Sequence, residues 1–291
     1  MTVIIENEKL TAVIAEEGAE LVSLKDRDSG IEYIWQGNPA FWGRHAPVLF
    51  PFVGRLKNDQ YSYKNKSYSM GQHGFARDQV FDVIEKGEGS VSLSLKSTKE
   101  TKKVYPFDFE LVLSYAIEGT ELVVSYQVIN TGKEEMLFSI GGHPAFNIPL
   151  EKHLTFNDYY LSLAPKMNRI QIPLSGPFAD LEHKTLGQTV ADLDLNRELF
   201  VDDALIYETP GKTAVTIKSD GSEHSVTLKY EDIPFVGIWS PYEKEAPFVC
   251  IEPWWGIADT VNSDGQLEDK FAVNQLKPAE EFKTNYVISV K

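Results

Sequence analysis

Apolar and polar residues alternate with period two along most of this chain, the repeat of a β-strand with one buried face. Val91, Leu93 and Leu95 alternate with Ser92, Ser94 and Lys96. Phe109, Leu111, Leu113, Tyr115 and Ile117 make one face of a longer run. Glu118-Gly119-Thr120-Glu121 then reads as a hairpin turn, and Leu122 to Ile129 as the returning strand. That return is apolar on both faces near Val123 and Val124, which predicts a strand covered on both sides. The pattern repeats in Ala214 to Lys218, a turn at Ser219-Asp220-Gly221-Ser222, and Ser225 to Tyr230. Phe235 to Trp239, Pro247 to Glu252 and Phe282 to Val290 predict further strands. Thr2 to Ile5, Leu10 to Ala15 and Leu21 to Asp26 predict three short ones at the start.

Helical periodicity is sparse. Asp180 to Leu186 and Asp192 to Glu198 each suit one or two helical turns, and no segment sustains a 3.6-residue repeat. Many short strands along the whole length predict an all-β protein, a large antiparallel sandwich or a barrel. The 291 residues show no linker composition, low complexity or fixed-period repeat, so a single domain over 1–291 is expected.

Composition narrows the function classes. The formal net charge of −15 argues against nucleic acid and anionic membrane as partners, because both favour a basic surface. The longest apolar stretch, Ala46 to Val53, is too short to span a bilayer and carries Pro47 and Pro51. A lone cysteine, Cys250, excludes an intrachain disulfide and fits a reducing compartment. The first residues show no secretory pattern, so a cytoplasmic location is expected. Glycine-rich phosphate loops, a Gly-x-Ser-x-Gly elbow and zinc-type Cys/His spacing are absent, so neither cofactor nor metal is expected.

What remains is a set of polar residues within apolar or aromatic surroundings. Arg55 follows the run Phe50-Pro51-Phe52-Val53-Gly54, as a guanidinium aimed into a cleft or as a strand-end arginine reaching for a carboxylate. In Gly71-Gln72-His73-Gly74-Phe75-Ala76-Arg77, His73 and Arg77 suit hydrogen bonds to hydroxyls or a phosphate. The plain alternative is a turn with a structural histidine. In Gly141-Gly142-His143-Pro144-Ala145-Phe146-Asn147, Pro144 holds His143 extended, and an imidazole so fixed suits proton transfer. It equally suits a core histidine bonded to a carbonyl. Glu252 ends the apolar strand before Pro253-Trp254-Trp255, where burial would raise its pKa toward that of a working base. The competing arrangement pairs it with Arg55 or Arg77. In Val201-Asp202-Asp203-Ala204-Leu205, one of the two aspartates suits a grip on adjacent sugar hydroxyls, and the pair equally suits a surface turn. Acid and base candidates on an all-β scaffold, with aromatics such as Phe146 and Trp254, point to acid–base work on a polar neutral molecule such as a sugar.

The chain resembles the aldose 1-epimerases, or galactose mutarotase-like proteins, in particular their LacX-like branch. The resemblance runs over nearly the whole length. It rests on Pro51-Phe52-Val53-Gly54-Arg55, His73-Gly74-Phe75, His143-Pro144-Ala145-Phe146-Asn147, Asp202-Asp203-Ala204-Leu205 and Ile251-Glu252-Pro253-Trp254. It implies a supersandwich with a sugar in a cleft across one sheet, and an isomerase that interconverts α and β anomers without a cofactor. His143 matches the acid that protonates the ring oxygen and Glu252 the base at the C1 hydroxyl. Arg55 and His73 match substrate-binding donors, and Asp203, with Asp202 as its near rival, the carboxylate that grips ring hydroxyls. His73-Gly74-Phe75-Ala76-Arg77 departs from the better-known galactose mutarotases and is similar to the hexose-6-phosphate mutarotases. Arg77, with Arg55 or Lys57, then has the alternative task of holding a phosphate, unless it supports Glu252 as a salt bridge. A non-catalytic sugar sensor on the same scaffold is a further alternative. A glycosidase fits poorly, because it needs two well-placed carboxylates.

Overall fold

A computed structural model of the chain describes residues 1–291. Two large antiparallel sheets face each other across one core. The nine-stranded sheet runs, edge to edge, Leu193–Asp194, Tyr160–Ala164, Thr213–Lys218, Val226–Tyr230, Glu281–Val290, Glu121–Asn130, Phe109–Glu118, Ser90–Lys96 and Asp82–Lys86. The eight-stranded sheet runs Thr185–Gly187, Arg169–Ile172, Leu205–Glu208, Phe235–Trp239, Phe248–Trp255, Ile140–Gly142 and Val48–Leu49, with Ala145–Asn147 as a further partner of Phe248–Trp255. The all-β class expected from period two, and the antiparallel β-sandwich the resemblance implies, are the architecture observed.

Alternation decides which side chains fill the space between the sheets. In Glu121–Asn130, Leu122, Val124, Tyr126 and Val128 are buried while the residues between them are half-exposed. The return strand is therefore covered on one face only; Val123 lies on the outer face, a correction to the two-sided burial its sequence suggests. Opposing residues of the eight-stranded sheet, among them Val236, Ile238, Val249 and Ile251, join them in one continuous apolar cluster. The cluster gathers residues from Val3 to Val290, including the N-terminal strands Thr2–Glu6, Leu10–Ala15 and Leu21–Asp26. On the outer face of the larger sheet, hydroxyls pair across strands, Ser92 with Ser114 at 2.8 Å and Thr216 with Thr227 at 2.9 Å.

Neither expected helical segment forms as read. Asp180 Oδ1 instead accepts from the Glu182 and His183 amides and closes a turn, after which Thr185–Gly187 is a strand. Asp192 to Glu198 divides into strand Leu193–Asp194 and a one-turn 3-10 helix, Arg197–Phe200, capped by Asn196 Oδ1 accepting from the Leu199 amide.

Phe146 is fully buried in the inter-sheet core and does not line the cleft described below. Parity is the reason. Strand Ala145–Asn147 turns Ala145 to the outer side of the sheet and Phe146 to the inner. Asn147 pins this strand in place, donating to the Glu32 and Ile34 carbonyls at 2.8 and 2.9 Å. Phe146→Ala is expected to cost about 3–5 kcal/mol of stability in urea unfolding. A small loss of stability with a raised KM would instead mean that the ring works as a sugar platform.

Candidate active site

The smaller sheet is unusual in having both faces covered where Phe248–Trp255 runs; all eight of its residues are buried. Val249, Ile251 and Trp255 point into the inter-sheet core. Phe248, Cys250, Glu252 and Trp254 point the other way. On that outer face lies a cleft of about 380 Å³. Arg55, His73, Arg77, His143, Asp203, Glu252 and Trp254 all line it, so seven of the eight residues singled out from sequence converge, Phe146 being the exception.

Trp254 owes its place to missing side chains. Gly141 and Gly237 are its neighbours on the flanking strands, Gly141 directly opposite it and Gly237 opposite Glu252. A Cβ on Gly237 would lie 2.5 Å from the indole, and one on Gly141 2.7 Å from it. The indole therefore spreads over bare backbone and forms part of the cleft floor beside Glu252.

Two loops bring in the donors. The Gly54 amide donates to His73 Nδ1 at 3.0 Å, and the His73 amide donates back to the Gly54 carbonyl at 2.9 Å. His73 takes a left-handed backbone, φ 67°, to make this pairing. Because Nδ1 accepts, the neutral ring carries its proton on Nε2. Gln72 joins the arginines: Arg55 Nη2 donates to its side-chain oxygen at 3.0 Å and Arg77 Nη2 to its carbonyl at 2.7 Å.

His143 and Glu252 meet at the floor, His143 Nε2 3.2 Å from Glu252 Oε2. Both are more than nine-tenths buried, at 6% and 2% exposure. The distance is that of an ion pair, but the angles are not those of a hydrogen bond, and Glu252 Oε2 has no hydrogen-bond partner. His143 Nδ1, Trp254 Nε1 and Arg77 Nε are likewise buried without partners. Four polar atoms around one cleft are thus buried without a partner, whereas buried polar groups are otherwise almost always paired.

The electrostatics follow from burial. Desolvation, then the charge of Asp203, lifts the Glu252 carboxyl well above its usual range, against a smaller opposing pull from Trp254. Desolvation lowers His143 to about 3, with Arg77 and Arg44 adding to the effect. His73 is lowered as well, by burial and then by His143. Burial thus disfavours the charged form of both imidazoles and of the carboxyl. Trp42 stacks on the His143 ring at 4.8 Å and Trp239 meets its edge at 5.7 Å, which fixes the ring's plane.

Arg55 and Arg77 do not pair with Glu252. Arg55 lies 3.3 Å from Asp59, and Arg77 only 4.0 Å from Asp78. The suggested salt bridge to the carboxyl is replaced by the contact with His143. Lys57 lies off the cleft, its ammonium donating to the Ser263 carbonyl. Of the two aspartates, Asp203 faces the cleft and Asp202 does not. Asp203 keeps open surface toward the cleft mouth, yet protein crowds its carboxyl enough that desolvation raises its pKa.

Trp42, Gln72 and Trp239 also line the site and were not singled out from sequence. Trp239 ends a legible strand and Gln72 sits beside His73, so both lay within reach of the pattern. Trp42 lies in a loop without periodicity and gave no signal. As for metal donors, a ring nitrogen of His143, Cys250 Sγ and a Glu252 carboxylate oxygen lie within 4.8 Å of one another.

The family model of the aldose 1-epimerases matches residues 1–270. The chain is 34% identical to the chromosomal protein LacX of Lactococcus lactis subsp. lactis, an alignment covering 100% of this chain and 99% of that one. It is similar in structure to a galactose mutarotase related enzyme from Lactobacillus acidophilus, with TM-score 0.99, 44% identity, and 100% and 97% of the two chains covered. A galactose mutarotase-like protein from Lactobacillus casei matches with TM-score 0.91, 34% identity and full coverage of both chains. On its sequence, its fold and its whole-length relatives, this chain belongs to the aldose 1-epimerase family.

Proposed function

We propose that the protein is a cofactor-independent aldose 1-epimerase that interconverts the α and β anomers of a hexose by ring opening, acting as one unit over its whole length. The observation that carries this reading is the contact of His143 with Glu252 at 3.2 Å inside the cleft. The two oxygens that exchange protons in anomerisation, the ring oxygen and the C1 hydroxyl, are bonded to the same carbon. An acid and a base must therefore stand side by side, as these two groups do.

The pair carries one proton in either of two arrangements. A shift from the carboxyl to the imidazole leaves the net charge unchanged and gives imidazolium beside carboxylate. In that form His143 protonates the ring oxygen while Glu252 takes the C1 hydroxyl proton. The C1–O ring bond breaks, C1 becomes an aldehyde, and the pair is left as neutral imidazole and carboxyl. Burial favours that neutral form, so the dry site stabilises the pair in the state that accompanies the open chain. Rotation about C1–C2 and the reverse transfers give the other anomer. His73 Nε2–H, Arg55 and Asp203 are assigned to the sugar hydroxyls, and Trp254 to an apolar face of the ring.

A second reading, a hexose 6-phosphate as substrate, is favoured by one observation. Gln72 gathers the Arg55 and Arg77 guanidiniums at one side of the cleft. Burial and the nearby Arg44 lower Arg77 to about 10, and it stays charged at neutral pH with only a distant carboxylate. Two cations so placed suit a dianion.

Polarimetry of fresh α-glucose, α-galactose and their 6-phosphates tests both readings. His143→Asn and Glu252→Gln should each lower kcat by roughly 10²–10⁴-fold while the fold persists; full activity in either refutes the assignment. Arg77→Met should raise KM for the phosphosugars alone if the phosphate reading holds, and leave it unchanged if the substrate is neutral.

The buried histidine also predicts a pH dependence of stability. Its folded pKa, about 3, lies below the ordinary 6.5, so its contribution is present above pH 6.5 and is lost as pH falls toward 3. Glu252, raised on folding, acts in the opposite sense, contributing below about pH 4.5 and losing that contribution as pH rises. Urea unfolding across pH 4 to 6.5 should show a slope reduced in His143→Gln by about 1.4 kcal/mol per pH unit. An unchanged slope would mean that the ring is protonated in the fold.

A further inference from the structure

Cys250 takes no part in the proton transfers above, yet it lies beside the two groups that do. We propose that His143, Cys250 and Glu252 together bind a thiophilic divalent cation, with Zn²⁺ as the probe, and that the bound ion blocks the position the anomeric oxygens of the sugar require. Binding does not depend on the epimerase reading; only the block does.

The strand register builds the donor set. Cys250 and Glu252 are two residues apart on the outward face of Phe248–Trp255. Ala145 sits directly opposite Cys250 across the ladder, and His143, two residues earlier, comes alongside Glu252. The three donor atoms lie within 4.8 Å of one another, and all three residues are buried. Sulfur, nitrogen and oxygen together suit a borderline-soft ion, and disfavour Mg²⁺ and Ca²⁺, which take all-oxygen shells.

Distances fit as well. Bonds of about 2.0 Å in a tetrahedron put ligand atoms about 3.3 Å apart. The His143–Glu252 separation of 3.2 Å already has that length. The sulfur needs to close by about 1 Å to complete a face. Glu252 Oε2 has no hydrogen-bond partner to give up. His143 and Glu252 line the cleft, so the ion arrives through it, and the fourth ligand position is left for water or a hydroxyl. Binding forms a metal–sulfur bond; the thiol proton and the carboxyl proton leave to solvent.

The test uses the full chain, freed of metal with a chelator. Zn²⁺ is titrated in competition with a chromophoric chelator, and Co²⁺ serves as the spectroscopic probe. One ion per chain is expected, with a thiolate-to-Co²⁺ charge-transfer band. Cys250→Ala should keep the mutarotation rate, weaken Zn²⁺ roughly 100-fold or more, and escape Zn²⁺ inhibition. A Co²⁺ complex without the thiolate band, or equal Zn²⁺ affinity in Cys250→Ala, overturns the proposal. Should that variant fail to fold, the Co²⁺ spectrum of the unaltered protein decides alone. If mutarotation is absent altogether, the epimerase reading fails while the binding measurements still judge the metal site.

Discussion

An imidazole and a carboxyl group in contact, both removed from water, constrain everything around them. In water each would ionise on its own terms. In this cleft ionisation is costly, so burial pushes the Glu252 carboxyl up and the His143 imidazole down. Their contact needs a sheet that is dry on both faces at one strand, which is why Phe248–Trp255 is buried throughout. Its inner face is anchored in the common core, and its outer face is shielded by aromatic side chains.

Those aromatics do two things at once. Trp42 and Trp239 clamp the His143 ring from face and edge, so its nitrogens keep their direction. They also exclude water, which strengthens the interaction of the pair with any charge that develops on a bound molecule. Gly141 and Gly237 complete the arrangement by leaving room for Trp254 at backbone level. The cleft is thus a hole in the packing of one sheet face, walled by residues from several strands and loops.

Legibility varied with the range of the forces involved. Strands with clean alternation are readable because alternation is local; the run Val91 to Lys96 lies in strand Ser90–Lys96 and the run Phe109 to Ile117 in strand Phe109–Glu118. The helical reading of Asp180 to Leu186 failed because an aspartate side chain closed a turn in place of helical backbone bonds. The strand carrying Val123 looks covered on both sides in sequence, whereas the structure covers both sides of others, among them Phe248–Trp255 and Ile140–Gly142. An apolar residue in the sequence does not say whether anything packs on it.

The sequence by itself determined the all-β class, through period two, and the family, through short motifs whose residues are neighbours in the chain. It also marked most of the cleft residues by their chemistry. Only the tertiary structure decided which of them meet. His143 and Glu252 come together through antiparallel register between separate strands, a long-range pairing that no local pattern encodes. Asp203 rather than Asp202 turns inward where its backbone enters the left-handed region, at φ 73°, and alternation stops predicting direction there. Phe146 falls into the core because a short strand turned its neighbour outward. Local composition sets what a residue can do; the pairing of distant strands sets what it faces.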